Sequence, residues 1–93
     1  MNVDVQHDSK ARRYFAQVDG HEAEASYIET GERSVNFTHT YVPPEMRGQG
    51  MGEAVVRFAL DDLRQRGYTY SAACPFVVAY LQRHPEYQEN PQA

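Results

Sequence analysis

The residues with the clearest potential for chemistry form the segment Arg47-Gly48-Gln49-Gly50-Met51-Gly52, which carries three glycines and one arginine. An apolar, β-branched run ending in Thr40-Tyr41-Val42 precedes it, and a helical pattern follows it. The first N–H groups of a helix lack intrahelical partners, so a tight glycine turn at this point can surround an anion with backbone donors. Arg47 adds a planar cation suited to phosphate. The segment therefore predicts an anion-binding site.

Two common phosphate-binding motifs do not fit this segment. A P-loop needs a lysine directly after its last glycine, and no lysine follows here. The dinucleotide fingerprint Gly-x-Gly-x-x-Gly would begin at Gly48 and Gly50, but Glu53 stands where its third glycine is required. That fingerprint also belongs to a mainly parallel sheet, whereas four predicted strands precede the long helix here. We therefore expect a ligand of another class.

The first half of the chain is predicted to form an antiparallel meander. Residues of alternating polarity, separated by turns at Asp19-Gly20 and at residues 30–33, predict four strands. Their expected bounds are Val3–Gln6, Arg12–Val18, His21–Thr30 and Ser34–Val42. In the fourth strand, alternation places Val35, Phe37, His39 and Tyr41 on one face, and Asn36, Thr38, Thr40 and Val42 on the other.

The second half changes to a helical period. Apolar residues recur at positions 55, 56, 59, 60 and 63, which predicts an amphipathic helix over Glu53–Arg66 with a Glu53–Arg57 ion pair on its polar face. A strand over Tyr68–Cys74 should then pair in parallel with the fourth strand, because a helix separates the two. A short helix should begin at Pro75 and end before Pro85, and residues 88–93 should form a frayed tail. The expected fold is α+β, a mixed α/β fold.

The composition indicates one small folded domain over residues 1–93. The chain is 41% hydrophobic, has a formal net charge of −4 and contains one cysteine. The negative charge disfavours nucleic acid as the main partner, and one cysteine cannot form an internal disulfide. No apolar run reaches the ~20 residues of a membrane span, and no secretory signal is recognisable. We expect a cytoplasmic monomer or weak homodimer without a membrane partner.

The glycine segment fits the signature [Gln/Arg]-x-x-Gly-x-[Gly/Ala], and further motifs accompany it. These are His39-Thr40-Tyr41-Val42-Pro43, Cys74-Pro75, Tyr80 and Arg83-His84-Pro85-Glu86-Tyr87. With them the chain resembles, over roughly residues 3–87, the small GNAT-like domains of the GNAT superfamily of acyl-CoA-dependent N-acetyltransferases. The resemblance implies a minimal acyl-CoA N-acyltransferase fold, acetyl-CoA as co-substrate, no metal, and an amine-bearing acceptor.

The resemblance also implies how acetyl-CoA is held. Backbone N–H groups of Arg47, Gly48, Gln49, Gly50, Met51 and Gly52 would bind its pyrophosphate. The pantetheine arm would pair with the backbone near Tyr41 and Val42 like an added strand, and the Val42 N–H would polarise the acetyl carbonyl. This arrangement requires the fourth and fifth strands to splay apart at their carboxyl ends.

Three side chains are candidates for the acetyl transfer. His39 is the expected base because histidine is the side chain that most readily accepts a proton near neutral pH, or it is a structural histidine on a half-buried strand. Cys74, next to the expected thioester, is an acid, a base, an acyl-carrying nucleophile or a buried thiol. Tyr80 corresponds to a tyrosine that protonates the CoA thiolate in many relatives, or it is a core tyrosine. We expect direct transfer in a ternary complex.

Two other functions remain open from the sequence. Larger relatives carry helices between their first two strands, and only residues 7–11 separate those strands here. The acceptor site should therefore be shallow and open, which allows a protein or peptide acceptor. The same truncation fits a non-catalytic CoA-binding or partner-binding module. A small β-rich interaction protein, with the glycines serving only as a helix start, is the third possibility.

Overall fold

The structure, a computed structural model, describes residues 4–88 and contains a five-stranded sheet with two α-helices. The strands are β1 (Val5–Asp8), β2 (Arg13–Val18), β3 (His21–Gly31), β4 (Ser34–Tyr41) and β5 (Thr69–Ala72). The helices are α1 (Met51–Gln65) and α2 (Pro75–Arg83), and short 3₁₀ helices span Pro44–Met46 and Pro85–Tyr87.

The strand order β1-β2-β3-β4-β5 confirms the predicted topology. β1 to β4 pair antiparallel, and β5 pairs in parallel with β4 after the α1 crossover. Asp19 and Gly20, with φ of 52° and 79°, close the β2–β3 hairpin as expected for a two-residue turn.

Several predicted boundaries are corrected. β1 ends at Asp8 instead of Gln6, and its predicted start at Val3 lies outside the described residues. α1 begins at Met51 instead of Glu53, so the last two residues of the glycine segment belong to its first turn. β5 ends at Ala72 rather than Cys74. Of the predicted tail, Gln88 is described and its side chain donates a hydrogen bond of 2.7 Å to the Leu81 carbonyl; the remainder lies outside the described residues.

The core forms between α1 and one face of the sheet. The predicted apolar stripe of α1 is fully buried, and α1 contacts β1, β2, β3 and β5. Its members are Val55, Val56, Ala59, Leu60 and Leu63. Each of the valine and leucine side chains among them contributes about 1.5–3 kcal/mol on burial. We call the opposite face of the sheet the outer face. On this face Arg13 of β2 pairs with Ser26 of β3, and Phe15 pairs with Glu24.

β4 contains a bulge that alternation did not predict. Tyr27 of β3 pairs with Phe37, but the next pair is Ser26 with His39, so Thr38 has no partner. One extra residue in a strand shifts its alternation by one and exchanges its faces. His39 therefore lies on the outer face with Ser26.

The bulge overturns the predicted faces of β4. Thr40 pairs with buried Ala25, and so it shares the core face with Phe37, whereas His39 and Tyr41 do not. The prediction that His39 and Tyr41 share a face with Val35 and Phe37 is wrong. The physical reason is the added residue, which a strict period of two cannot represent.

β4 and β5 splay apart beyond Phe37, as the binding hypothesis required. β5 pairs with β4 from Ser34 to Phe37 only. The Phe37 carbonyl then accepts hydrogen bonds from the amides of Ala73 and Cys74, at 2.9 and 3.0 Å, where the chain leaves the sheet. β4 continues to Tyr41 without a β5 partner, and its edge on that side is open.

A polar cluster attaches β1 to α1 at the far end of the sheet from the glycine segment. The His7 ring stacks on Tyr14 with ring centroids 4.2 Å apart. Its Nε2 and the Tyr27 hydroxyl share a hydrogen bond of 2.6 Å, and its Nδ1 lies 3.9 Å from Asp62 Oδ2. The Tyr14 hydroxyl donates to the same Asp62 oxygen at 2.6 Å. His7 thus joins β1, β2, β3 and α1.

This cluster predicts a pH-dependent stability. Burial, followed by the charge of Arg66, lowers the pKa of His7 below its ordinary value of 6.5, although Asp62 and Asp8 oppose the shift. As the pH falls, the unfolded chain therefore takes up this proton before the folded chain does. The contribution of His7 to the free energy of unfolding is complete above about pH 6.5 and is lost as the pH drops through the lower folded pKa. We expect urea unfolding between about pH 7.5 and about pH 5.5 to show a smaller loss of stability in His7→Gln than in the wild type. Equal losses in the two proteins would contradict this assignment.

Candidate functional site

An open groove of about 530 Å³ lies where β4 ends and α1 begins. Its walls are the last residues of β4, the loop that follows, the first turn of α1 and one side chain of α2. The lining residues are Thr40, Tyr41, Val42, Met46, Arg47, Gly48, Gly50, Met51, Gly52, Glu53 and Phe76. We call it the β4–α1 groove. Its volume is typical of small-molecule sites.

Two glycines shape the loop at the entrance to α1. Gly48 and Gly50 have φ of 81° and 75°, and a Cβ at either position would meet no atom within 4 Å. These positions therefore favour glycine because of backbone conformation rather than lack of space. The Ala54 amide is the first to bond within α1, to the Gly50 carbonyl at 3.0 Å. The amides of Met51, Gly52 and Glu53 thus lack intrahelical acceptors, and all three residues line the groove.

Gly52 allows α1 to approach its neighbours closely. A Cβ at this position would lie 2.8 Å from Phe76 Cζ and 2.9 Å from Val42 Cγ2. The first turn of α1 therefore packs against both the chain leaving β4 and the start of α2. This contact fixes the helix N-terminus beside the open end of β4.

The side chains of Arg47 and Gln49 donate hydrogen bonds to backbone carbonyls of the same loop region. The Arg47 Nε donates a hydrogen bond of 2.9 Å to the Val42 carbonyl. The Gln49 Nε2 donates to the Glu45 carbonyl at 3.2 Å, and Gln49 is not among the lining residues. Tyr41 is exposed at the rim of the groove. The groove is therefore lined mainly by backbone donors and apolar side chains.

Cys74 is buried at the N-terminus of α2 and contacts the core side of β4. Its Sγ–H donates to the Thr40 Oγ1 at 3.4 Å. Burial raises the pKa of the Cys74 thiol, but its side-chain hydrogen bond with Thr40 and its backbone hydrogen bonds with Val77, Phe76 and Thr40 together outweigh this effect, so the pKa is lower than usual. Thr40 lines the β4–α1 groove, whereas Cys74 does not.

The structure does not bring His39 and Cys74 together. Cys74 contacts the side chain of Thr40, and successive side chains of a strand point to opposite faces. His39 is consequently exposed on the other face of β4, and it is not among the residues that line the groove.

Tyr80 lies in a second opening of about 310 Å³ between the two helices. It is buried, its ring stacks on His84 with centroids 4.2 Å apart, and burial raises its pKa. Beside it, Glu53 accepts a hydrogen bond of 2.8 Å from Arg83 Nη2. The predicted pair of Glu53 with Arg57 is therefore wrong, because α2 packs beside α1 and supplies a nearer cation.

Four residues that line the β4–α1 groove were not predicted from the sequence: Thr40, Met46, Glu53 and Phe76. Thr40 was assigned to the wrong face because the bulge at Thr38 was not recognisable. Phe76 follows the Cys-Pro motif directly, and that position was the available signal. Met46 is buried in the 3₁₀ helix after Pro43-Pro44, and no pattern in the sequence singled it out.

Two absences hold for residues 4–88, the part of the chain that the structure describes. In that part of the chain no group of three or more His, Cys, Asp or Glu side chains is placed to hold a metal ion. No helix there is both long and apolar enough to cross a membrane.

A family model of GCN5-related N-acetyltransferases matches residues 13–90. The chain belongs to the GCN5-related N-acetyltransferase family. The protein NATD1 of Gallus gallus is 30% identical over 94 residues, which cover 97% of this chain and 86% of that protein. The protein NATD1 of Homo sapiens is 29% identical over 85 residues, covering 89% and 75%.

Two solved structures share the fold. The solution structure of a GCN5-like N-acetyltransferase candidate from Staphylococcus aureus aligns with a TM-score of 0.72 and 23% identity, over 94% of this chain and 85% of that one. The ribosomal-protein-alanine N-acetyltransferase of Brucella melitensis biovar Abortus 2308 aligns with a TM-score of 0.54 and 24% identity, over 86% and 64%. These neighbours confirm the predicted mixed α/β fold of the family.

Proposed function

We propose that this protein is an acetyl-CoA-dependent N-acetyltransferase that acts on an amine of a protein or peptide by direct transfer in a ternary complex. The proposal rests on one observation, which is that two structural features meet in the same groove. The N-terminus of α1 opens into the β4–α1 groove, and the unpaired edge of β4 runs alongside it.

These features fit the chemistry of acetyl-CoA, which combines a pyrophosphate, an amide-bearing arm and a thioester. The free amides of Met51, Gly52 and Glu53 suit the pyrophosphate, because the helix dipole adds to their hydrogen bonds. The open edge of β4, from Thr38 to Tyr41, can pair with the amides of the arm as a strand would. Acetyl-CoA supplies the activated acyl group.

Transfer forms a C–N bond and breaks the C–S bond, so the amine gives up one proton and the departing thiolate gains one. His39 is exposed on the outer face and can accept the amine proton from an acceptor that approaches there. The Val42 N–H lies where β4 ends and can donate to the acetyl carbonyl. Cys74, whose thiol has a lowered pKa and donates to Thr40 Oγ1, can supply the proton that the thiolate gains.

The open outer face supports a macromolecular acceptor. Residues 9–12 alone connect β1 to β2, so no helix covers the sheet at that connection. Tyr41 and His39 are both exposed next to the open end of β4. A lysine side chain or a chain terminus could reach the groove from this side without displacing any element.

The activity is tested by following free thiol and intact mass after incubation with acetyl-CoA, with and without amine or peptide mixtures. We expect thiol release that depends on the acceptor and a mass increase on the acceptor alone. An acetyl group retained on Cys74 before an acceptor is added would contradict direct transfer and indicate a ping-pong reaction. No thiol release with any acceptor would contradict the enzymatic function.

His39→Ala is expected to slow transfer by about 10²–10⁴-fold, the contribution of a general base. Binding of acetyl-CoA should remain unchanged, because His39 does not line the groove. Steady-state kinetics and calorimetric titration measure the two quantities separately. His21→Ala is the matched control, since His21 lies outside both grooves, and it should leave both quantities unaltered. Unchanged turnover in His39→Ala would refute the base assignment.

A non-catalytic CoA-binding module is the second candidate, and one observation favours it. His39 and Tyr80 lie outside the β4–α1 groove, and His39 is separated from Cys74 by β4. CoA would then raise the thermal stability, as any ligand of the native state does, without acceptor-dependent thiol release. Absence of any thermal shift would favour a simple interaction protein.

A further inference from the structure

The departing CoA thiolate needs a proton donor within the β4–α1 groove. Tyr80, which corresponds to the tyrosine that protonates the thiolate in many relatives, lines the second opening and not this groove. The lining side chains that carry a hydroxyl group or a charge are Thr40, Tyr41, Arg47 and Glu53. The choice of donor is therefore limited to a few groups.

Three of these four side chains do not suit the step. Arg47 carries a guanidinium, which keeps its proton in proteins. Glu53 is bound to Arg83 at 2.8 Å, and an ionised carboxylate accepts hydrogen bonds without donating any. Tyr41 is exposed and lies on the outer face of the sheet, whereas Thr40 lies on the core face. The Thr40 hydroxyl is thus the donor that the core side of the groove offers.

Thr40 connects the groove with a thiol that does not line it. The Cys74 Sγ–H donates to Thr40 Oγ1 at 3.4 Å, and Cys74 is buried. A hydroxyl can accept one hydrogen bond and donate its own proton at the same time. The Thr40 hydroxyl is therefore placed to accept a proton from Cys74 and to donate one to a ligand in the groove.

The start of α2 stabilises the thiolate that remains when Cys74 gives up its proton. Cys74 is the N-cap of this nine-residue helix, and its carbonyl accepts a hydrogen bond of 3.0 Å from the Val78 amide. The amides of Phe76 and Val77 therefore lack intrahelical acceptors, and the helix dipole favours an anion beside them. Burial raises the pKa of this thiol, but its hydrogen bonds with Thr40 and with the backbone of Phe76 and Val77 lower it overall. A thiol of lowered pKa transfers its proton favourably to an ordinary alkyl thiolate such as that of CoA.

We propose that the Thr40 hydroxyl relays a proton from Cys74 to the CoA thiolate, which makes Thr40 a catalytic residue of this site. This inference rests on the proposed function, because it assumes that the thioester lies in the β4–α1 groove. As the C–S bond breaks, its electron pair stays on the sulfur, and the sulfur takes the proton of the Thr40 hydroxyl. The proton of the Cys74 thiol moves to the Thr40 oxygen in the same step.

The proton balance closes after the products leave. Cys74 is then a thiolate, and it recovers a proton from water in the open groove, passed through the Thr40 hydroxyl. The proton that His39 accepted from the amine returns to the solvent and neutralises the hydroxide that this step forms. The enzyme is thereby restored without an oxidant, a reductant or another co-reactant.

Steady-state kinetics of the full chain with acetyl-CoA and an amine acceptor test the relay. Thr40→Val keeps the shape of the side chain and removes its hydroxyl, so kcat should fall by about 10²-fold or more, the contribution of a general acid. Calorimetric titration should give an unchanged Kd for CoA. Thr40→Ser keeps the hydroxyl and should restore most of the lost turnover. Thr30→Val is the matched control, because Thr30 is exposed on β3 outside both grooves, and it should leave kcat unaltered.

Cys74→Ala tests the relay from its other end. Because two residues of one proton path act as a unit, the double variant of Thr40→Val and Cys74→Ala should lose as much turnover as either single variant. In the wild type, kcat should fall as the pH rises through the lowered pKa of Cys74, since the thiol then has no proton to give. This fall should be absent in both single variants, whereas a purely structural role would lower kcat equally at every pH.

The outcomes separate the relay from the acetyltransferase activity. Unchanged kcat in Thr40→Val, a Thr40→Ser variant no faster than Thr40→Val, or losses that multiply in the double variant overturn the relay and leave the activity standing. Absence of acceptor-dependent thiol release by the wild type overturns both proposals. If thermal unfolding shows that Thr40→Val does not fold, Cys74→Ala decides alone, and a pH profile like that of the wild type overturns the relay.

Discussion

Gly50→Asp is expected to abolish binding of acetyl-CoA while the protein remains folded. Gly50 precedes the first turn of α1 with φ of 75°, and a Cβ there meets no atom within 4 Å. The added carboxylate would occupy the amides that face the groove and repel the pyrophosphate. Two like charges about 4 Å apart near a protein surface repel by about 4 kcal/mol. We therefore expect a loss of affinity of a hundredfold to about a thousandfold, measured by calorimetric titration.

Gly50→Asn is the matched control for this prediction. Asparagine has nearly the shape of aspartate, and both tolerate positive φ better than other non-glycine residues. The backbone cost, about 1–2 kcal/mol at most, is therefore common to the two variants and cancels in their comparison. The neutral variant should lose less than about tenfold in affinity. Equal losses in both variants would show that loop geometry, rather than charge, determines binding.

Phe37→Ala is expected to cost about 3–5 kcal/mol in the free energy of unfolding, because Phe37 is 0% exposed. Its ring packs edge-on against Tyr27, with centroids 6.0 Å apart, directly before the bulge. Its carbonyl accepts the two amides at which β5 leaves the sheet. Since domains of this size are stable by only about 5–15 kcal/mol, the variant should be close to unfolding. Urea denaturation measures the change.

Phe58→Ala provides the control for the loss of a phenyl ring. Phe58 is 41% exposed on α1 and contacts the edge of Tyr14 at 6.2 Å between centroids. Its removal should cost about 1 kcal/mol or less, as expected for a surface position. Similar costs for the two variants would mean that the core is not centred on Phe37. The same result would remove the basis for a fixed splay between β4 and β5.

The bulge at Thr38 links the fold to the candidate site. It lies immediately after the last β4 residue that pairs with β5, so the end of pairing and the exchange of faces occur together. Bulges are common where a strand must redirect side chains near a functional site. Here the exchange places Thr40 beside Cys74 and places His39 on the outer face.

Most of the fold could be predicted from the sequence because its determinants are local. The apolar stripe of α1 follows the helical period, and every member of it is buried. The Asp19-Gly20 turn and the α1 crossover determine antiparallel and parallel pairing, respectively. The glycine segment also predicted a helix N-terminus at this point, and Gly50 and Gly52 line the β4–α1 groove there.

The sequence by itself thus determined the order of elements, the meander, the parallel β5 and the position of the glycine segment, because hydrophobic period and turn chemistry are properties of neighbouring residues. Only the tertiary structure decided the faces of His39 and Thr40, the ion pair of Glu53 with Arg83, and the separation of Tyr80 from the β4–α1 groove. These depend on register and on contacts between segments that are distant in sequence. A single inserted residue reverses every later side chain of a strand, and no local pattern in β4 records it.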